Sequence, residues 1–295
     1  MSSSTSAACL VVPGSSERML TKAREIDAGE IVIDLEDAVV PERKDEAREL
    51  ALAALAAGGF RAPAVAVRVN APGTPWAHLD LIALGSAARR PDSVVIPKVQ
   101  SAGDLAFVAR LLDGVEPTAG GRHPLPVQAL VETAGGLRAL DQIAAATRRL
   151  VAIIVGYADL AVSLGRSPHG AADLDRWIAV QDAVLATARA AGVRAVDGPY
   201  LAIDDHDGLR ASATRGAELG FDAKWAIHPA QLGIIAAAFV PDPDEVAHAE
   251  AVLAALTRAG GAHGAVSLNG EMLDEPVRLA ALRTLQRAGR GAEPA

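Results

Sequence analysis

Short apolar segments alternate with longer stretches of helical spacing along most of the chain. Eight segments rich in Val and Ile recur at intervals of roughly 20–45 residues, and each is apolar at consecutive positions. Strands of this kind are typical of a parallel sheet that is covered on both faces. Eight such units predict an α/β protein with a TIM (β/α)8 barrel. The predicted strands are Cys9–Pro13, Ile31–Leu35, Ala64–Val69, Ser93–Pro97, Val127–Val131, Val151–Val155, Arg194–Val196 and Ala223–Ile227.

An open, doubly wound sheet is the main alternative to the barrel. That fold favours a G-x-G-x-x-G turn after its first strand, because a dinucleotide phosphate lies against those glycines. Here the first predicted strand is followed by Gly14-Ser15-Ser16. The sequence therefore favours the barrel.

Helical spacing continues after the eighth unit, from about Asp242 to Arg258. A glycine-rich segment follows at Gly260–Gly264, and a last helix begins near Asp274. We therefore predict two parts, a catalytic barrel over residues 1–240 and a C-terminal helical extension over residues 241–295.

Composition and charge narrow the range of partners. Of the 295 residues 51% are hydrophobic and 22% are charged, which is typical of a globular protein. The formal net charge of −8 gives no overall attraction for nucleic acid or an anionic membrane surface. The single cysteine, Cys9, excludes an internal disulfide and suits a reducing compartment. No leader or membrane-spanning segment is recognisable, so we expect a cytoplasmic protein.

Polar residues follow most of the predicted strands. In a TIM barrel the catalytic groups lie where the strands end, so these side chains are expected to share one mouth. They are Asp34-Leu35-Glu36-Asp37, Arg68 and Asn70, Lys98, Glu132, Asp159, Asp197 and His228.

Two of these carboxylates suggest a metal site. Glu132 and Asp159 end neighbouring strands, which lie about 4.8 Å apart. Two such carboxylates with no cysteine nearby favour Mg²⁺, a cation that prefers oxygen ligands and keeps several waters. The alternative is that one carboxylate pairs with Arg68 and that neither binds a metal.

The cations at the same mouth have two interpretations each. Arg68 could hold a 2-oxo acid and neutralise charge on its oxygen, or it could be an ion-pair partner inside the mouth. Lys98 could form a Schiff base, as in metal-free aldolases, but a surrounding cluster of carboxylates would keep its amine protonated. Arg18 and Lys22, one turn apart on an early helix, form either a phosphate site or a solvated helix face.

Several motifs in order resemble one known family, the citrate lyase beta-subunit and malyl-CoA lyase group of Mg²⁺-dependent TIM-barrel lyases. The resemblance runs nearly from end to end. The motifs are V-P-G-S-S-E-R-M-L, I-D-L-E-D-A-V, V-R-V-N, V-V-I-P-K-V, A-L-V-E-T-A-G-G, G-Y-A-D-L, K-W-A-I-H-P-A-Q and N-G-E-M-L-D-E-P.

The resemblance implies a role for particular residues and a homotrimer or homohexamer. Within the barrel, it makes Glu132 and Asp159 the Mg²⁺ ligands, with Glu36 and Asp37 holding the waters of the metal. It also implies that Arg68 binds the 2-oxo acid and that Arg18 and Lys22 approach the CoA phosphates, while Gly156 and Ala158 contact the substrate. Asp274, which the sequence alone would make a helix N-cap, matches an acid/base that enters a neighbouring subunit's site.

The function implied is that of a carbon–carbon lyase. It would cleave a 3-hydroxy-carboxyacyl-CoA such as citryl-, malyl- or citramalyl-CoA into a short acyl-CoA and a 2-oxo acid. The reverse reaction would be the condensation of these two products. The tail motif favours a stand-alone CoA enzyme over one that uses an acyl carrier protein. Two alternatives stay open at this point: a thioesterase acting on the same thioesters, and a metal-dependent aldolase that acts on 2-oxo acids without CoA.

Overall fold

The computed structural model describes residues 6–116, 123–167, 174–258, 266–268 and 270–290. The chain divides into two compact units, one spanning Ser6–Ile235 and one that begins at Ala236. The glycine-rich segment Gly260–Gly264 lies outside the described residues.

Eight parallel strands close into a barrel in the first unit, each paired with its neighbours in chain order and the eighth with the first. The predicted TIM barrel is thereby confirmed. The strands are β1 (Ala8–Pro13), β2 (Glu30–Asp34), β3 (Val65–Arg68), β4 (Ser93–Ile96), β5 (Val127–Val131), β6 (Leu150–Val155), β7 (Arg194–Asp197) and β8 (Ala223–Ala226).

Helices follow the strands along the chain, and none in the described ranges is both long and apolar enough to cross a membrane. Short 3-10 turns lie at Pro41–Arg43, Leu174–Trp177 and Pro229–Gln231. The helices are α1 (Glu17–Ala23), α2 (Lys44–Ala57), α3 (Ala77–Ser86), α4 (Ala102–Val115), α5 (Ala134–Arg138), α6 (Leu140–Ala144), α7 (Tyr157–Ser163), α8 (Ile178–Ala191), α9 (His206–Leu219), α10 (Leu232–Phe239), α11 (Pro243–Arg258) and α12 (Glu275–Arg287).

The barrel interior is filled by buried residues from all eight strands. Because side chains alternate along a strand, this cluster fixes which positions point inwards. On β2 and β3 the interior positions Val32 and Ala66 place Asp34 and Arg68 on the same inner side, nearer the mouth. On β7 and β8 the interior positions Val196 and Trp225 leave Asp197 and Lys224 facing the surrounding helices. The cluster comprises Cys9, Val32, Ala66, Val95, Leu130, Ala152, Ile154, Val196, Ala223 and Trp225.

The C-terminal unit has its own small core. Helices α11 and α12 pack together with a two-stranded antiparallel sheet, β9 (Val266–Leu268) and β10 (Glu271–Leu273). Buried Val252 of α11, Leu273 and Leu285 of α12 belong to one hydrophobic cluster. Arg287 also donates to the Phe239 carbonyl, which joins the end of α12 to the end of α10.

Candidate active site

The predicted site carboxylates of the barrel converge around Lys98, directly after β4. The Lys98 ammonium lies 2.5 Å from Glu36 Oε1, 3.2 Å from Asp37 Oδ1 and 3.8 Å from Asp159 Oδ1. Its peptide N–H donates to Glu132 Oε1 at 2.8 Å. One residue therefore contacts four of the predicted carboxylates, which come from three different strand exits. The expectation that Asp197 shares this mouth is wrong, because Asp197 is buried on the helix-facing side of β7 and pairs with Lys224.

The backbone of Lys98 is strained in a way that serves this contact. Among the described residues it is the only non-glycine with a positive φ, 52°. For a residue with a side chain, this left-handed conformation is less favourable in free energy by about 1–2 kcal/mol. Since the same conformation aims the Lys98 N–H at Glu132, the strain is tied to the position of that carboxylate.

The ammonium of Lys98 is a poor candidate for Schiff-base chemistry. Its hydrogen bond to Glu36 and the negative charges of Glu36, Asp37 and Glu132 outweigh partial burial and raise the pKa of Lys98 above its usual value. A nucleophilic amine needs the opposite shift, because only the neutral form attacks a carbonyl.

Glu132 is a buried carboxylate enclosed by the next strand exit. Its exposure is 2%, and Lys98 N–H is its only hydrogen-bond donor in the described structure. Gly156 passes so close that a Cβ there would lie 2.5 Å from Glu132 Oε2, so the position requires glycine. Burial first, and then the charges of Glu36 and Asp159, raise the pKa of Glu132 to about 8. Without a bound metal ion, this carboxyl group therefore holds its proton near neutral pH.

Asp159 completes this part of the site from the first turn of α7. Its side chain is 41% exposed, and the structure gives it no hydrogen bond among the described residues. Gly156 is the N-cap of α7 and donates its N–H to Val131 O at 3.0 Å. Ala158, the second residue of α7, has a peptide N–H that the helix itself cannot pair. Both predicted substrate-contact residues thus lie in the same turn as Asp159.

Arg68 is fixed before any substrate arrives. Its Nε and one terminal nitrogen donate to the two oxygens of Asp34 at 2.7 Å and 2.6 Å, and the other terminal nitrogen lies 3.2 Å from Glu36 Oε2. The guanidinium also lies over the ring of Trp225, with the centroid 5.7 Å away. The interpretation of Arg68 as an ion-pair partner is therefore correct for the edge that contacts Asp34. The remaining terminal nitrogen points towards Glu36 and the carboxylate cluster.

The backbone at Glu36 is fixed by Lys44. Buried Lys44 donates to the carbonyl oxygens of Leu35 and Glu36 at 2.9 Å and 2.8 Å. The carboxylate of Glu36 is buried, and its Oε2 has no hydrogen bond despite the nearby Arg68 charge. An incompletely paired buried carboxylate is unfavourable unless further positive charge is available.

The donors of this cluster fit a hard divalent cation. All are carboxylate oxygens, and the buried oxygen of Glu36 without a hydrogen bond lies among them. Within the described ranges no three His, Cys, Asp or Glu side chains already form a metal cage. Carboxylate oxygens are ligands that Mg²⁺ prefers, and this cation commonly uses one or two of them while it keeps its waters.

The remaining predicted residues lie on α1 and in the C-terminal unit. Arg18 and Lys22 are exposed, one turn apart on α1, which Ser16 caps by accepting from Met19 N–H. Asp274 is exposed and is the N-cap of α12, where it accepts from Val277 N–H at 3.2 Å. The capping role expected from sequence is thus confirmed.

The family of the chain follows from comparison with known proteins. Residues 8–229 match the family model described as HpcH/HpaI aldolase/citrate lyase. The chain belongs to the HpcH/HpaI aldolase/citrate lyase family. The family that the sequence motifs indicated is confirmed.

Individual relatives within this family carry lyase and thioesterase names. An L-malyl-CoA/beta-methylmalyl-CoA lyase of Cereibacter sphaeroides is 33% identical over 89% of this chain and 88% of its own length. A (3S)-malyl-CoA thioesterase of the same species is 38% identical over 95% of this chain and 93% of its own length. Among solved structures, the CitE protein of Mycobacterium tuberculosis in complex with magnesium, acetoacetate and coenzyme A has a TM-score of 0.80 and 32% identity, and covers 97% of this chain and 98% of that one.

Two residues of this HpcH/HpaI site were not assigned from the sequence. Asp34 was placed at a strand exit, but its pairing with Arg68 was not predicted, although the two are register partners on β2 and β3. Lys44 has no role in the sequence-based prediction. Its signal was its rarity, because only four of the 28 basic residues are lysines.

The raised pKa of Glu132 predicts how stability depends on pH in the metal-free protein. The unfolded group titrates near 4.5 and the folded one near 8, so its stabilising contribution is complete below about pH 4.5 and is lost as pH rises to about 8. Urea unfolding in excess chelator should show wild type losing stability relative to Glu132→Gln across this window, by at most about 1.4 kcal/mol per pH unit. A difference between the two proteins that stays constant with pH would contradict this assignment.

Proposed function

We propose that this protein is a Mg²⁺-dependent carbon–carbon lyase that acts on a 3-hydroxy-carboxyacyl-CoA such as citryl-, malyl- or citramalyl-CoA. The products are a short acyl-CoA and a 2-oxo acid, and the reverse condensation uses the same groups. The observation that carries the proposal is the cluster of Glu36, Glu132 and Asp159 beside a fixed Arg68 at the mouth of the barrel. Lyase relatives and a neighbour complexed with magnesium and coenzyme A support it.

The metal would be held by Glu132 and Asp159, with Glu36 and Asp37 accepting hydrogen bonds from its waters. When bound, Mg²⁺ supplies a Lewis acid for the oxygen that is a hydroxyl in the substrate and a carbonyl in the 2-oxo acid. Arg68 donates to the same oxygen as negative charge develops on it, and it needs no reorganisation because Asp34 already holds it.

Cleavage also requires a group that removes the hydroxyl proton. We assign this role to Asp274 of a neighbouring subunit in a homotrimer or homohexamer. Its carboxylate takes the proton, the oxygen electrons form the carbonyl, and the electrons of the broken C–C bond pass to the acyl-CoA enolate. The same acid returns a proton to the enolate carbon. Arg18 and Lys22, both exposed and close to the first strand exit, are proposed to hold the CoA phosphates.

A thioesterase is the second candidate, because a thioesterase relative shares 38% identity with the chain. The two activities leave different products from one substrate. A lyase converts malyl-CoA into acetyl-CoA and a 2-oxo acid, whereas hydrolysis releases malate and free CoA.

We expect turnover of malyl-CoA or citramalyl-CoA to stop in excess chelator and to return with Mg²⁺, because the surrounding carboxylates keep the Lys98 amine protonated and it cannot replace the metal. Thiol titration and mass spectrometry should find acyl-CoA plus 2-oxo acid. Stoichiometric free CoA would establish the thioesterase. Full activity in chelator, with inactivation by borohydride and substrate, would overturn the metal mechanism in favour of Lys98.

Replacing Arg68 by lysine should slow the chemical step. Lysine cannot reproduce the two-pronged contact with Asp34. Its positive charge would therefore not be held in the position or the orientation that the Arg68 guanidinium has. We expect kcat to fall on the order of 10²-fold, as when an oxyanion donor is lost. Arg210→Lys, which alters a surface ion pair with Asp207, is the matched control. A near-normal kcat in Arg68→Lys would leave Arg68 as a structural ion-pair partner only.

The shared site predicts complementation between two inactive variants. Asp274→Asn lacks the acid/base and Glu132→Gln lacks a metal ligand. If each site takes these residues from different subunits, random co-assembly leaves about a quarter of the sites intact. Each variant reassembled alone is the control. A mixed oligomer, verified by mass spectrometry, that regains no activity would place Asp274 in its own subunit's site or restrict it to helix capping.

A further inference from the structure

A second charged group lies behind the site, on the helix-facing side of the barrel. Lys224 of β8 and Asp197 of β7 are both completely buried. The Lys224 ammonium donates to Asp197 Oδ2 at 2.6 Å and to the Gly198 carbonyl at 2.7 Å. Helix α9 closes over this pair, since a Cβ added at Gly216 would lie 3.1 Å from Asp197 Oδ2. The pair therefore has no access to solvent or substrate.

Tyr157 connects this buried pair to the active site. Its hydroxyl donates to the other oxygen of Asp197 and accepts from Gln181 Nε2 at 2.8 Å. The Tyr157 ring packs on Trp177 with 5.0 Å between centroids. It also lies so close to Gly198 that a Cβ there would be 2.8 Å from its Cδ2. The phenol is thus fixed by contacts along both its ring and its hydroxyl.

The position of Tyr157 gives these contacts a consequence for the site. Tyr157 is the first residue of α7, and Asp159 is the third. The Asp159 carboxylate is 41% exposed and makes no hydrogen bond in the described structure, so its place depends on the backbone that carries it. Tyr157, two residues earlier in the same turn, is anchored by its hydrogen bonds with Asp197 and Gln181.

Buried ion pairs rarely add to stability beyond what apolar residues of similar size would give. Their retention is more easily explained where they fix a geometry. We propose that Tyr157, Asp197 and Lys224 form a positioning network that fixes the first turn of α7, and through it the Asp159 carboxylate opposite Glu132. The proposal rests on the proposed function, in which Asp159 is a metal ligand.

Binding of Mn²⁺, followed by electron paramagnetic resonance of the free ion, tests this network without relying on activity. Tyr157→Phe removes the donor to Asp197 and keeps the ring. We expect the Mn²⁺ dissociation constant to rise about tenfold, the lower end of what loss of a supporting hydrogen bond produces at a metal site. Tyr200→Phe is the matched control, because it removes the only other tyrosine hydroxyl, which donates to Asp205 on the α9 N-cap.

A second variant and a stability measurement separate positioning from folding. Gln181→Met removes only the donor to the Tyr157 oxygen and should raise the dissociation constant a few-fold. The Tm of every variant is measured in excess chelator. If Tyr157→Phe folds and its Mn²⁺ affinity is unchanged, the positioning network is wrong, whatever the change in Tm. If Tyr157→Phe does not fold, an unchanged Mn²⁺ affinity in folded Gln181→Met has the same meaning.

The variant Asp159→Asn distinguishes failure of the positioning network from failure of the metal-site assignment. Strongly weakened Mn²⁺ binding in Asp159→Asn, with wild-type binding in the Tyr157 and Gln181 variants, would reject the positioning network alone. Wild-type binding in Asp159→Asn would reject Asp159 as a ligand, and with it both the site assignment and the network.

Discussion

Like charges held close together at the mouth of the barrel are the constraint on which the site depends. Asp34, Glu36, Glu132 and Asp159 approach one another where water is partly excluded, and their repulsion must be offset. Arg68 neutralises Asp34, and Lys98 bridges Glu36 to its neighbours. Burial first, and then the charges of neighbouring carboxylates, raise the pKa of both Glu36 and Glu132 in spite of these cations. A divalent cation is the partner that would relieve the remaining charge.

The same constraint explains features that are unfavourable by themselves. A positive φ at Lys98 would be selected against in an ordinary loop, but here it turns a peptide N–H towards Glu132. Burial of Lys44 is acceptable because two carbonyl oxygens accept hydrogen bonds from its ammonium and the Trp76 ring lies 5.5 Å away. Local strain and buried charge are thus concentrated around the carboxylates, as expected of a functional site.

Much of this arrangement was predictable from sequence, because parallel strands in a barrel deliver the residues at their carboxyl ends to one mouth. The eight strands, and the proximity of Glu36, Asp37, Lys98, Glu132 and Asp159, follow from that rule. The pairing of Arg68 with Asp34 did not, because it depends on the register between β2 and β3. Nor did the contact of Tyr157 with Asp197, 40 residues apart, which depends on a side-chain rotamer and on Gly198 leaving space for the ring.

In the proposed mechanism the acidic mouth binds one divalent cation between Glu132 and Asp159. Anomalous diffraction from crystals soaked in Mn²⁺ tests it most directly, because the signal locates the ion independently of catalysis. We expect one strong peak within bonding distance of both carboxylates, with the Lys98 ammonium displaced from its position 3.8 Å from Asp159. A mouth without a peak, with Lys98 still bound to Glu36, would contradict it.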